Sequence, residues 1–202
     1  SDKHSAKYQR ELEAAHPELK GPVCATVGAG KHKPRSKAEL IKLLDMGMQM
    51  PLDKIDTSLI TDMEGLFKDS RCRDFTGLET WDTSNVVTMK SMFAGAEYFD
   101  HDISGWDVSN VRDMSHMFDG ARRYNQPLDD WNVSNVQNMC EMFAWTRKFN
   151  QPLNSWNVTN VRNMSRMFAW ASKYNKPLND WNVSNVQDMY EMFYYAEKFN
   201  QP

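Results

Sequence analysis

The sequence predicts a right-handed β/α solenoid closed at its N-terminal end by a helical capping segment. Three observations carry that expectation. Trp recurs at 81, 106, 131, 156 and 181, always 25 residues apart. Met recurs in the same register at 89, 114, 139, 164 and 189 and again three residues later, each second Met preceding a Phe. Inside every copy a two-residue apolar alternation gives way to a three-to-four-residue one. A fixed period of about 20–50 residues marks a stacked array, because one such unit cannot enclose a core by itself.

The stretch Leu128 to Val136, LDDWNVSNV, places apolar side chains at Leu128, Trp131, Val133 and Val136. This is leucine-rich-repeat-like spacing, in which a short strand turns Trp131 and Val133 inward and Asn132 and Ser134 outward. Val136, Met139, Met142, Phe143 and Thr146 then follow at offsets of 3, 3, 1 and 3. Those offsets predict one face of a short helix, with Ser134 or Asn135 as its N-cap. Phe149-Asn150-Gln151-Pro152-Leu153 turns the chain back, since Pro ends a helix. A degenerate copy precedes the five: Ile55-Asp56-Thr57-Ser58, Met63, Leu66 and Phe67 lie 26 residues before their counterparts. The repeats therefore occupy 52–202, the last copy being incomplete.

The N-terminal part has a different texture. Residues 1–35 read as an extension, with a short helix over Lys7 to Ala15 and a Gly-, Pro- and Lys-rich linker after it. Within a cap region of 36–51, Ser36 is a good N-cap for a helix over 36–46. Leu40, Ile41, Leu43 and Leu44 form its apolar face and Gly47 its stop. This helix is expected to cover the first repeat, because a stacked array needs a polar cover at its ends.

Composition excludes several classes. A net charge of -3 does not suit a general nucleic-acid binder. No apolar run reaches the roughly 18 residues of a membrane span. SDKHSAKYQR has no apolar signal-peptide region, and a chain starting at Ser reads as a trimmed fragment. Cys24, Cys72 and Cys140 are too few and too scattered for a disulfide scaffold or a sequence-local metal motif. The five histidines share no register, and no nucleophile, base and orienter come together, so no catalytic residue, metal or cofactor is expected. Around Gly28-Ala29-Gly30-Lys31 the phosphate-loop pattern fails, because Ala25 holds the first Gly position and His32 follows the Lys. Calcium ligation by Asp100, Asp102, Asp107, Asp129, Asp130 and Asn132 is disfavoured, because Asp thins to Asn along the array. Asn132, Asn157 and Asn182 match glycosylation sequons, but glycans in consecutive copies would crowd at about 4.8 Å, which favours a bacterial source.

Two sets of residues are candidates for binding. The outward column Asp82, Asp107, Asn132, Asn157 and Asn182 would form a polar concave face, the surface that solenoids commonly use, or else a merely solvated one. Trp145, Trp170, Tyr194 and Tyr195, with Tyr190, replace small residues of earlier copies and are expected to be partly exposed. They read as an interaction ridge or as a second aromatic layer between neighbouring copies. Arg123, Lys148, Lys173 and Lys198 read as a solvated basic rim. The Asn column at 85, 110, 135, 160 and 185 reads as structural, with buried amides pairing with turn backbone.

The segment WNVSNVQNMCEMFAWTRKFNQPLNSW resembles the BspA-like leucine-rich-repeat surface proteins of bacteria, over about residues 52–202. That resemblance implies a leucine-rich-repeat solenoid, a cell-surface or secreted setting, and an adhesive role toward a protein or glycan ligand. The expectation is thus a non-catalytic recognition module that neither binds nucleic acid nor inserts into membranes. An intracellular scaffold is the alternative, and self-association through the C-terminal end a further one.

Overall fold

The computed structural model describes residues 25–27, 31–45 and 51–202. The helix expected over Lys7 to Ala15, the Gly28–Gly30 stretch and Cys24 lie outside the described residues. Two short strands, β1 (Ala25–Val27) and β2 (Lys31–Lys33), pair antiparallel, with Thr26 opposite His32. Helix α1 spans Lys37–Asp45. Its start is sealed by an N-cap: the Glu39 N–H donates to Ser36 Oγ at 3.2 Å, while Glu39 Oε2 accepts from the N–H of Arg35, one residue before the cap, at 2.7 Å. Leu40 and Leu43 are buried in the common core, Ile41 is exposed, and Lys37 pairs with Asp62 of the first coil. β2 joins the array directly, through a parallel bridge from His32 to Ile55 and an Asp56 N–H bond to the His32 carbonyl at 2.7 Å.

From residue 51 onward the expected β/α solenoid is not what the chain forms. Among the described residues, the coils contain neither strand nor α-helix. Each is a succession of tight turns, and its only bridge pairing is one isolated parallel bridge per junction, running through Asp62, Thr88, Asp113, Asn138, Asn163 and Asp188. Named by its Trp, the Trp131 coil shows how this works. Turns close from the Trp131 N–H to Leu128 O and from the Val136 N–H to Val133 O. The segment expected to be helical consists of overlapping turns instead, with Met142, Ala144 and Thr146 donating to Met139, Glu141 and Phe143. The alternate amides leave the coil altogether: Met139, Glu141, Phe143 and Trp145 donate to Asn163, Ser165, Met167 and Ala169 of the next, each at 2.9 Å.

An α-helix needs the Phe143 N–H for Met139 O, four residues back. Here that N–H goes to the neighbouring coil, so no helix is possible. Three-residue turns and a helical face also produce nearly the same apolar spacing, which is why the offsets 3, 3, 1 and 3 misled. In the same way Trp131 and Val133 do point inward and Asn132 outward, yet the backbone over 131–133 is irregular rather than a strand, and a turn follows at 134–135.

The turn geometry recruits left-handed backbone twice per coil. One column is Gly65, Ser91, His116, Glu141, Arg166 and Glu191; the other is Asp69, Gly95, Gly120, Trp145, Trp170 and Tyr195. Gly77 occupies a different tight spot: at φ 97° its missing Cβ would lie 2.6 Å from the Asp53 nitrogen.

Inside the stack the repeat residues form aromatic columns. Phe93, Phe118, Phe143 and Phe168 stack with 5.6–5.8 Å between ring centroids. Phe99, Tyr124, Phe149 and Tyr174 form a second column at 5.3–6.0 Å. The two columns meet within each coil, as Phe143 and Phe149 do at 4.3 Å. Met139 and Met142 are fully buried beside them, so the paired Met positions fill the core.

Three side-chain ladders then tie coil to coil. Every repeat Trp Nε1 donates backward, Trp131 to Ile103 O at 3.1 Å and Trp156 to Leu128 O at 2.8 Å. Every repeat Asn of the 85–185 column donates Nδ2 to a carbonyl of the preceding coil, Asn135 to Ser109 O at 2.6 Å. These amides are exposed, not buried as the sequence suggested, but the backbone partner is as expected. The Phe-Asn-Gln turn supplies the third ladder: the Asn150 N–H donates to Asn125 Oδ1 at 3.0 Å, while Gln151 Nε2 reaches the Asn125 carbonyl at 3.1 Å.

Candidate interaction surface

The polar column and the aromatic set have different fates in the structure. Asp82, Asp107, Asn132, Asn157 and Asn182 are all exposed and follow one another coil by coil. There is no strand face for them to decorate. Each instead accepts, through Oδ1, the N–H two residues on, at 2.9 Å for Asp82 and Asp107 and 3.1 Å for the three Asn. This Asx-turn fixes the turn after the Trp and gives each Oδ1 a structural partner. Ser109 Oγ also donates to Asp107 Oδ1, and these bonds hold the Asp107 carboxyl below the usual carboxylate range. Beside this column Asn85, Asn110, Asn135, Val87 and Arg112 line a shallow depression of about 310 Å³. Its amides are already committed to the inter-coil ladder.

The aromatic residues do converge. Trp145 and Trp170 stack at 4.5 Å with rings 7° apart, and Trp170 and Tyr195 at 4.4 Å with rings 3° apart. Tyr194 adds an edge-on contact to both Trp170 and Tyr195, at 5.8 and 4.6 Å. The ladder is open to solvent, with Trp145 37% and Tyr195 54% exposed. Its three members sit at φ 60°, 61° and 51° in the column that Gly95 and Gly120 occupy earlier. A bulky side chain in that conformation costs about 1–3 kcal/mol where Gly costs nothing.

Next to the ladder runs a groove of about 270 Å³ whose other wall is Arg147, Ser172 and Glu197. These three were not singled out by sequence reading as a set. Adding 25 to a residue number finds them: each stands two places after a ladder aromatic, so the same turn carries both walls. Tyr190 lies apart, with the Arg166 guanidinium 5.4 Å from its ring centre and Arg166 bonded to Glu191 at 3.2 Å. On the basic rim, Arg123 packs over the Tyr98 ring at 4.5 Å, opposed by Arg73 at 3.9 Å.

The profile of a family described as Mycoplasma protein of unknown function, DUF285, matches residues 40–146 and 127–202. The chain belongs to that family. This corrects the resemblance drawn from the sequence: the matching family is DUF285 and not the BspA-like leucine-rich-repeat proteins. The DUF285 match begins within α1, at residue 40, and covers all the coils, so the ladder and its groove lie within it. No curated protein and no solved structure matches the chain. Among the described residues of this DUF285 chain, no helix is long and apolar enough to cross a membrane.

Proposed function

We propose that the chain is a non-catalytic protein-binding module whose contact surface is the ladder of Trp145, Trp170 and Tyr195 with its groove. The observation that carries this reading is the placement of exposed aromatics at strained left-handed positions. Glycine would fill the same positions without strain, as at 95 and 120. Stacking adds about 0.5–1.5 kcal/mol per pair beyond the area the rings bury. Exposed Trp and Tyr held in a rigid row are also the residue types that dominate protein interfaces.

A protein partner is favoured over a glycan by ring orientation. A sugar packs on an open aromatic face, but both faces of Trp170 are covered by its neighbours. What the ladder offers is a row of ring edges, suited to apolar side chains. Arg147 and Glu197, one at each end of the groove, would orient a peptide segment of opposite polarity.

The test restores the earlier coils' residue. Trp145→Gly, Trp170→Gly and Tyr195→Gly are expected to fold with stability within about 1 kcal/mol of the parent for each substitution. Parent and triple variant are compared on protein and glycan arrays. Saturable protein binding lost in the triple variant supports the reading. Binding that survives the triple variant, or that is confined to glycans, overturns it.

A further inference from the structure

We propose that His116, Cys140 and Glu141 form a binding site for one divalent transition-metal ion of the zinc class, at the junction of the Trp106 and Trp131 coils. His116 Nδ1, Cys140 Sγ and a Glu141 carboxylate oxygen lie within 4.8 Å of one another, all three residues being half-buried. His116 Nδ1 is 3.6 Å from Glu141 Oε2 and 3.0 Å from Asp119 Oδ2. Ligand atoms around a tetrahedral zinc stand about 3.3–3.7 Å apart. The nitrogen–oxygen edge already has that length, and the Cys140 thiol, 3.2 Å from Ser165 Oγ, would exchange that contact for the metal.

The backbone beneath the site is held in place by the coil ladder. The His116 N–H donates to the Cys140 carbonyl at 2.8 Å, and the Met114 and Phe118 amides make the same kind of bond on either side. His116 and Glu141 both occupy the left-handed column, so they project from equivalent points of adjacent coils. Asp119 Oδ2 stands nearest for a fourth ligand position.

Internal comparison within the array sets this junction apart. The coil position of Cys140 holds Ser115 and Ser165 in its neighbours, and that of Asp119 holds Ala94, Ala144 and Ala169. The position of His116 holds Ser91 in the preceding coil. Elsewhere along the array the same columns hold Lys90 and Tyr190, Arg166 and Glu191, and Tyr194; the junction of His116 with Cys140 is where an imidazole, a thiol and the carboxylates of Asp119 and Glu141 come together. Imidazole, thiolate and carboxylate together suit zinc-class ions; calcium, which takes six to eight oxygens, does not match them.

The full chain, stripped with chelator, is titrated with Zn²⁺ by calorimetry and with Co²⁺ by visible spectroscopy, which shows a charge-transfer band when a thiolate binds the metal. His116→Ser and Cys140→Ser carry residues that adjacent coils already use, and thermal unfolding checks that they fold. The double variant Cys24→Ser/Cys72→Ser controls for the other thiols. The expected result is one ion per chain, a thiolate band kept in the double variant, and affinity at least tenfold weaker in each single variant. The proposal is overturned by no binding at micromolar zinc, by a band that follows Cys24 or Cys72, or by single variants that bind as the parent does.

Discussion

Tyr124 and Tyr174 are buried, yet among the described residues neither hydroxyl has a hydrogen-bond partner. Burial pushes both phenols well above their ordinary range, so they stay neutral. The equivalent positions in adjoining coils are Phe99 and Phe149, which shows that the site accepts a ring without the oxygen. An unpartnered buried hydroxyl costs about 1–3 kcal/mol. Tyr124→Phe and Tyr174→Phe are therefore expected to raise stability by about 1 kcal/mol or more each in urea denaturation, and a loss would show that the hydroxyls have partners. The Trp column predicts the opposite sign. Trp131→Phe keeps most of the ring but removes one of the two donors to the Ile103 carbonyl, which retains the Trp106 N–H, and is expected to destabilise by about 1 kcal/mol in the same assay.

At the scale of the element, the unit is an overlapping set of turns, and its polar caps differ along the chain. Asp102 and Asp107 hold their turns as carboxylates, with the Ser104 and Ser109 side chains and amides depressing both acids. Because the folded-state pKa values are lowered, their contribution is present above the unfolded pKa and fades as pH falls below about 4. Asn132, Asn157 and Asn182 make the same turns and do not titrate. Asp107→Asn should therefore lose less stability than the parent between pH 7 and pH 3, measured as the shift in urea midpoint. An equal loss would mean that Asp107 does not contribute to acid sensitivity. The turn architecture has a spectroscopic consequence too. α1 has 9 residues and no coil adds an α-helix among the described residues, so far-UV circular dichroism should lack strong helical minima. A spectrum dominated by helix would restore the strand-and-helix unit that the apolar offsets predict.

At the scale of the whole molecule, stability is a sum over junctions, because each coil bonds only to its neighbours. Excising residues 132–156 joins Trp131 to Asn157 and preserves the register of every column. The shortened chain should still fold cooperatively, with a lower midpoint because one junction is gone. Failure to fold would show that the Trp131 coil is not interchangeable. That deletion also removes Trp145, Cys140 and Glu141, so it should abolish the proposed metal site and shorten the aromatic ladder.

Much of the molecule was legible in the sequence, and what was hidden has a common cause. The 25-residue period, the inward set of Trp131, Val133, Met139, Met142 and Phe143, and the outward Asn132 all follow from side-chain chemistry repeated in register. Burial is a property of each residue type and its spacing, so a sequence can state it. Backbone pairing is not. Whether the Phe143 amide bonds four residues back or 24 residues onward depends on how closely the next coil lies, and only the assembled stack decides that. The same holds for the sites. Trp145, Trp170 and Tyr195 were visible as a column, but their face-to-face stacking at left-handed positions was not. His116 and Cys140 looked unrelated because they are 24 residues apart along the chain, which in this architecture makes them neighbours across one junction.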